Sequence, residues 1–239
     1  MIKVIKRLVR KLFTLIGFDL IRISRSPGHT FLGLKKLSIH TIIDIGANEG
    51  QFAQKMLKWF PQATIYSFEP LPGPFNELRK WAEGQNGKVK AFRLAIGDWE
   101  GHTEIYHHLE HSPSSSLLKS TDICGTFYPF TKKQTLISVR STTLDKVMAG
   151  FAKYLIPDIL IKVDVQGYED RVIKGGTETL HKAKACILEV SLDQLYEKQA
   201  SFADILILLS DLGFHYVGNL EQTCADDGHV IYVDSVFTK

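Results

Sequence analysis

Acids, amides and glycines gather at the ends of apolar runs in this chain, which is where an α/β protein does its chemistry. The first group, Asp44, Gly46, Ala47, Asn48 and Gly50, follows the start of the run Thr41-Ile42-Ile43. The second, Glu69-Pro70, follows Tyr66-Ser67-Phe68. An apolar run that breaks into a glycine-bearing turn and then a helix, with an acid 19 residues past Gly50, is the layout of a nucleoside-binding βαβ unit. A dinucleotide turn of the form G-x-G-x-x-G starting at Gly46 needs glycines at 48 and 51, where the pyrophosphate approaches the backbone, and the chain has Asn48 and Gln51. That argues against an NAD-dependent oxidoreductase. The form D-x-G-x-N-x-G suits S-adenosylmethionine (SAM), whose cationic sulfonium and ammonium favour a carboxylate and which has no phosphate to cradle. On this reading Asp44 lies near the methionine end and Glu69 accepts hydrogen bonds from the ribose hydroxyls. The plainer alternative is that the glycines only allow positive φ in a tight turn. The order and spacing of both motifs favour the cofactor reading.

The elements that must position these groups are legible in the periodicity. A chain of 239 residues, 44% hydrophobic and 23% charged, has the composition of a globular protein and can bury one sizeable core. Strand and helix alternate: a strand to Ile45, a helix with Phe52, Met56, Leu57 and Phe60 on one face, a strand from Ala63 to Phe68, and a helix from near Pro74. A strand from Val89 to Ile96 and a short one from Thr103 to His107 follow. After a break come a helix entered at Thr143, a buried strand from Ile159 to Val165, a helix stopped by Gly175-Gly176, and a strand from Cys186 to Val190. Ser201-x-x-Asp204 reads as a capping box before an apolar helix, and Phe214 to Phe237 reads as a terminal hairpin. The expected fold is α/β and Rossmann-like: a seven-stranded, mostly parallel sheet with a C-terminal antiparallel hairpin and helices on both faces. Residues 108–140 break the rhythm with Pro113-Ser114-Ser115-Ser116 and interspersed aromatics, and are expected to form an irregular insertion, best read as a substrate lid.

Charge is unevenly spread. Residues 1–25 carry seven basic residues against Asp19, a net +6 in a chain of net +3, so the remainder carries −3. The main domain, residues 36–239, therefore lacks a nucleic-acid footprint. Residues 1–35 form a basic arm in which Ile2, Ile5, Val9, Leu12, Phe13 and Ile16 recur at helical spacing while Lys3, Lys6, Arg7, Arg10 and Lys11 fill the other face. The arm is too short and too charged to span a bilayer. Two readings stand: a helix packed on the main domain, or an interfacial anchor at an anionic membrane surface through residues 1–25. Cys124, Cys186 and Cys224 show no zinc or disulfide spacing and fit a reducing, cytoplasmic setting, with the inner membrane face as the place of any peripheral contact.

Taken in order, Asp44-Ile45-Gly46-Ala47-Asn48-Glu49-Gly50, Phe68-Glu69-Pro70, Ala95-Ile96-Gly97-Asp98 with Gly101, Ser115-Ser116-Leu117, Thr143-Leu144-Asp145, and Lys162 to Glu169 before Gly175 resemble the FkbM-type SAM-dependent methyltransferase family. The resemblance covers residues 41–190. It implies a class I methyltransferase fold, SAM as donor, and O-methylation of a sugar, glycolipid or related natural product. It also implies that Asp98 approaches the adenine amino group and that Asp164 and Glu169 line the acceptor pocket. Gln166 departs from the pattern, which usually has an acid there. Two acids can still hold Mg²⁺ through oxygen ligands, so Mg²⁺ is possible but not favoured, and the missing third acid counts against a three-carboxylate metal site.

Asp164, at the carboxyl end of a parallel strand, is the first candidate for general base, Glu169 the second and Glu189 a distant third. Glu169 could equally be a favourable first-turn charge. His107, His108 and His111 are expected to be solvated side chains beside the insertion. The competing function is a SAM-binding or scaffold module that has lost its chemistry at Gln166. The acceptor's identity and the oligomeric state are not legible.

Overall fold

The computed structural model describes residues 2–239, with side chains from Ile5 onward; the side chains of Ile2 and Lys3 lie outside the described residues. The basic arm forms helix α1 (Ile2–Leu15), and a single helical turn, α2 (Pro27–Thr30), follows. Gly17, at φ +83°, ends the first helix, where the Phe18 N–H bonds the Phe13 carbonyl. The apolar side chains of this arm from Ile5 to Ile16 are exposed.

The domain then alternates β1 (Thr41–Ile45), α3 (Gln51–Trp59), β2 (Thr64–Phe68), α4 (Pro72–Glu83) and β3 (Val89–Phe92). Both faces of β1 are buried, which is why its sequence is almost wholly apolar. Ile43 and Ile45 enter a core with Phe68, Val163 and Leu188, and Ile42 enters a second core with Met56, Ile65 and Val236. Asp44 shares the face of Ile42 by the period-two rule.

Here the structure corrects the expected strand from Val89 to Ile96. The main sheet ends at Phe92; the Leu94 N–H then bonds the Phe92 carbonyl in a tight turn, and Ala95–Gly97 becomes β4 in a separate three-stranded sheet. Its companions are β5 (Gly101–His108) and, after helix α5 (Asp122–Phe127), β6 (Gln134–Thr143), paired antiparallel to β5. The expected irregular insertion is thus largely built. The three strands close into a small sheet in which Ile105, Val139 and Ala95 bury against Leu71. Cys124 of α5 packs on Leu195, Tyr196 and Ile231.

The second half runs α6 (Leu144–Ala149), β7 (Ile159–Val163), α7 (Glu169–Lys174), α8 (Thr177–Lys182), β8 (Ala183–Ser191), α9 (Phe202–Asp211), β9 (His215–Cys224) and β10 (Val230–Thr238). The Ser201 and Asp204 capping box at the start of α9 is formed in both directions. The main sheet has seven strands in the order β3-β2-β1-β7-β8-β10-β9, parallel apart from β10, which runs antiparallel to both β8 and β9. The strand order reverses between β1 and β7, so the crevice at their carboxyl ends is where an open α/β sheet places ligands.

Candidate active site

That crevice holds a cavity of about 380 Å³, inside the roughly 300–1,000 Å³ range of small-molecule sites. Its floor is the turn after β1. Gly46 and Ala47 both donate their backbone N–H to the Phe68 carbonyl at 3.0 Å, the Asn48 N–H donates to Glu69 Oε2 at 2.9 Å, and the Gly50 N–H donates to the Ala47 carbonyl at 2.8 Å. These amides are already satisfied inside the protein, so they form no nest for a pyrophosphate. Asn48 takes the left-handed conformation, φ +46°, which asparagine tolerates. Its side-chain amide reaches Ser112 Oγ at 3.2 Å, joining the turn to the insertion.

Glu69 lies at the end of β2 with the Leu71 N–H on Oε1 at 2.8 Å and the Asn48 N–H on Oε2. Burial pushes its carboxyl up to about 7, against the two backbone donors that favour the charged form. Each oxygen retains a lone pair for a further donor.

The other half of the cavity is built by β7 and its successor turn. Asp164 Oδ2 meets Lys162 Nζ at 2.8 Å, and Oδ1 accepts the side-chain amide of Gln166 at 2.8 Å. The same Gln166 nitrogen donates to Glu189 Oε1 at 2.5 Å. Because both carboxylates are acceptors, the amide oxygen must face the other way, and there it meets the Tyr196 hydroxyl at 2.7 Å. That hydroxyl also lies 2.9 Å from the Ser114 carbonyl; with one proton it donates to one of the two at a time. Burial, reinforced by Asp164 and Asp234, raises the Glu189 carboxyl well above the ordinary range. Burial alone would lower the Lys162 ammonium, but Asp164 and Asp44 hold it above the usual lysine range.

Of the residues singled out in the sequence, Gly46, Ala47, Asn48, Glu69, Pro70 and Asp164 line the cavity together, and so does Glu189. Four others do not. Asp44 is fully buried opposite Lys162 in the parallel register, with neither carboxylate oxygen hydrogen-bonded, and burial raises it to about 6. Gly50 takes φ +90°, a left-handed conformation that favours glycine, and packs against Leu78 and Trp81 rather than lining the cavity. Asp98 is exposed beyond β4, on the side of Tyr168, because the chain has left the main sheet before reaching it. Glu169 is buried beneath the turn rather than in the acceptor pocket. Its Oε1 accepts the Val165 and Gly167 N–H groups, both at 3.1 Å, since Gln166 (φ +58°) and Gly167 (φ +93°) fold the backbone back over it.

One of the three histidines departs clearly from expectation: His108 is fully buried with Nδ1 2.5 Å from the Thr131 carbonyl, whereas His107 is half-buried beside Ser115 and His111 is exposed beside Ser114. None lines the cavity. Sequence reasoning gave no cavity role to Lys162 and missed Tyr196; the first stood inside a quoted motif, but Tyr196 lies in an irregular stretch with no local signal. It also missed the contribution of Gly28 and Phe31, which close the cavity from the arm side. Among the described residues no group of three histidine, cysteine or acidic side chains is arranged to hold a metal ion.

The cavity's charged lining comprises five carboxylates, Glu69, Asp164, Glu189, Glu221 and Asp234, against Lys55 and Lys162. Such a lining suits a cationic, phosphate-free ligand.

A family model described as the methyltransferase FkbM domain matches residues 44–216. The 2-O-methyltransferase NoeI of Sinorhizobium fredii is 32% identical over 177 residues, 70% of each chain. A protein called Methyltransferase 1, from Beauveria bassiana, is 25% identical over 183 residues, 72% of this chain and 71% of that one. The crystal structure of an FkbM methyltransferase from Methylobacillus flagellatus matches over 84% of this chain with TM-score 0.52 at 11% identity, a likeness of fold; the chain spans 44% of that protein's length.

Proposed function

Since the chain belongs to the FkbM methyltransferase family, we propose that it transfers a methyl group from SAM to a hydroxyl oxygen of a sugar, glycolipid or similar polyhydroxylated acceptor. The observation that carries the donor half is the turn from Gly46 to Gly50, whose satisfied amides leave nothing for phosphate while Glu69 keeps acceptor capacity for a ribose. The acid-rich lining fits the positive charges of SAM. The acceptor half draws on NoeI, whose name specifies 2-O-methyl transfer.

When bound, SAM supplies a methyl group already activated as an electrophile. What remains for the protein is to align the acceptor oxygen and remove its proton. Alignment can contribute roughly 7–11 kcal/mol and a positioned base roughly 10²–10⁴-fold. Gly46, Ala47, Asn48, Glu69 and Pro70 would hold the donor. Asp164 is held by Lys162 and Gln166 from either side, and each of its oxygens still has a lone pair for an acceptor O–H. It would accept the proton of the acceptor hydroxyl. Glu189, kept neutral more readily by its burial, orients a neighbouring hydroxyl. Glu169 acts on neither; it fixes the turn that carries Gln166.

The test is turnover of labelled SAM against a panel of free sugars, glycolipids and polysaccharide fragments. Labelled methyl ether should form with the wild type, and Asp164→Asn should lose roughly 10²–10⁴-fold in kcat while binding SAM within a few-fold of wild type. Donor binding without product on any acceptor would support the non-catalytic module instead.

A further inference from the structure

We infer that α1 is a docking helix for an anionic lipid surface, and that it sets the domain down with its cavity served from the segment directly behind the helix. At about 100° per residue, Ile5, Leu8, Val9, Leu12, Leu15 and Ile16 fall within one arc, and Lys6, Arg7, Arg10 and Lys11 fall within the opposite one. The apolar arc is bare in the structure: Leu8 and Leu12 are each 61% exposed and Leu15 is 84% exposed. Phe18, Ile21 and Ile23 extend the exposed apolar surface past the helix end. An unpartnered face of this kind is an interaction surface, since single-chain domains do not present large contiguous apolar patches to water.

Charge complementarity chooses the partner. Residues 1–25 carry net +6, so the basic face calls for a negatively charged partner, and the exposed apolar arc shows that the helix is not laid on its own domain. A surface that is apolar below and negative above, with both layers presented in one plane, matches both arcs at once; that is the boundary region of a bilayer with anionic headgroups. The Arg10 guanidinium pairs with Asp19 at 3.0 and 3.1 Å, folding the chain behind the helix back along it, while Lys6, Arg7 and Lys11 remain for headgroups. Among the described residues no helix is long and apolar enough to cross a membrane, so the geometry is one of lying on it. The chain then runs through Gly28 and Phe31, which line the cavity. Docking therefore acts on the wall of the site, and an acceptor at the lipid surface is brought to it.

The full-length protein, without donor or acceptor, is floated with vesicles of pure phosphatidylcholine and with vesicles that also contain phosphatidylglycerol. Binding should be confined to the phosphatidylglycerol vesicles and should fall as salt is raised. Lys6→Gln with Lys11→Gln should weaken it roughly thirtyfold. Leu8→Glu with Leu12→Glu should abolish it while circular dichroism and the melting temperature of the domain stay unchanged. Absence of binding to the anionic vesicles overturns the inference, as does equal binding by the Leu8→Glu, Leu12→Glu variant. A concentration-dependent dimer that this variant converts to monomer, with no vesicle binding by either, would assign the face to a second copy of the chain instead. The readout is independent of methyl transfer.

Discussion

A β-carbon placed on Gly46 would lie 1.8 Å from the Asp164 carbonyl oxygen. The two residues end the adjacent parallel strands β1 and β7, and the Asp164 N–H bonds the Ile45 carbonyl at 3.0 Å just beneath the contact. The turn after β1 and the turn after β7 are therefore packed backbone to backbone. The glycine is demanded by that approach and by its φ of +77°, not by a ligand.

Gly46→Ala should consequently cost on the order of 3 kcal/mol in folding stability, because a backbone carbonyl cannot move aside as a flexible side chain can. Urea unfolding measures it. A stable Gly46→Ala protein that merely loses donor affinity would show that the close approach yields easily.

The fold was legible because both faces of the central strands are buried and the amphipathic helices between them keep a clear period; β1, α3, β2 and α9 lie within a few residues of where the pattern puts them. The separate sheet of β4, β5 and β6 was not, because nothing local marks Phe92 as the last residue of one sheet and Ala95 as the first of another. The same limit explains the site. Glu69 and Asp164 are strand-end acids, which the topology sends to one crevice. Asp98 also follows a strand, but of the wrong sheet, and Glu169 precedes a helix whose entry turn closes over it. Tyr196 reaches Gln166 across 30 residues of sequence, a pairing only the tertiary structure makes.

Donor affinity should depend on pH in a way that tracks the donor's charge. Burial raises Glu69 to about 7 and Asp44 to about 6, so in the free protein both lose their protons only near neutrality. A cation binds best to the deprotonated forms. SAM affinity should therefore rise between pH 6 and pH 8 with proton release on binding, and S-adenosylhomocysteine, which lacks the sulfonium charge, should show a shallower rise. Glu69→Gln should flatten the SAM curve and weaken binding at pH 8. Calorimetric titrations in buffers of different ionisation enthalpy count the protons; identical pH curves for both ligands would refute the charge argument.

Glu169 should behave as a brace. Glu169→Ala strands the Val165 and Gly167 N–H donors in a buried turn, a loss of about 3 kcal/mol, whereas Glu169→Gln keeps the accepting oxygen. The pH dependence separates the two roles further. Burial raises the folded-state carboxyl to about 8, above the ordinary glutamate value it has when unfolded. Its contribution to stability is thus fully present below the unfolded value and is lost as pH rises through about 8. Thermal melts of Glu169→Gln should fall less steeply than wild type from pH 5 to pH 9, with kcat retained within a few-fold. A loss of kcat in Glu169→Gln as large as in Asp164→Asn would return Glu169 to the chemistry.

Gln166 separates two carboxylates by donating to both, and Tyr196 fixes which way its amide faces. Gln166→Glu replaces the shared donor with a third carboxyl group between Asp164 and Glu189. Like charges so close cannot all ionise, so the group retains protons to higher pH, and the acid limb of the kcat profile should move upward by about one unit. Tyr196→Phe removes the hydroxyl that orients the amide but adds no charge. It should lower kcat modestly, about three- to tenfold at roughly 1 kcal/mol for a neutral hydrogen bond, and leave the acid limb in place. The pair of profiles separates a steric role for Gln166 from an electrostatic one. If both variants move the limb equally, the amide serves only as a spacer, and the charge between Asp164 and Glu189 has no influence on proton removal.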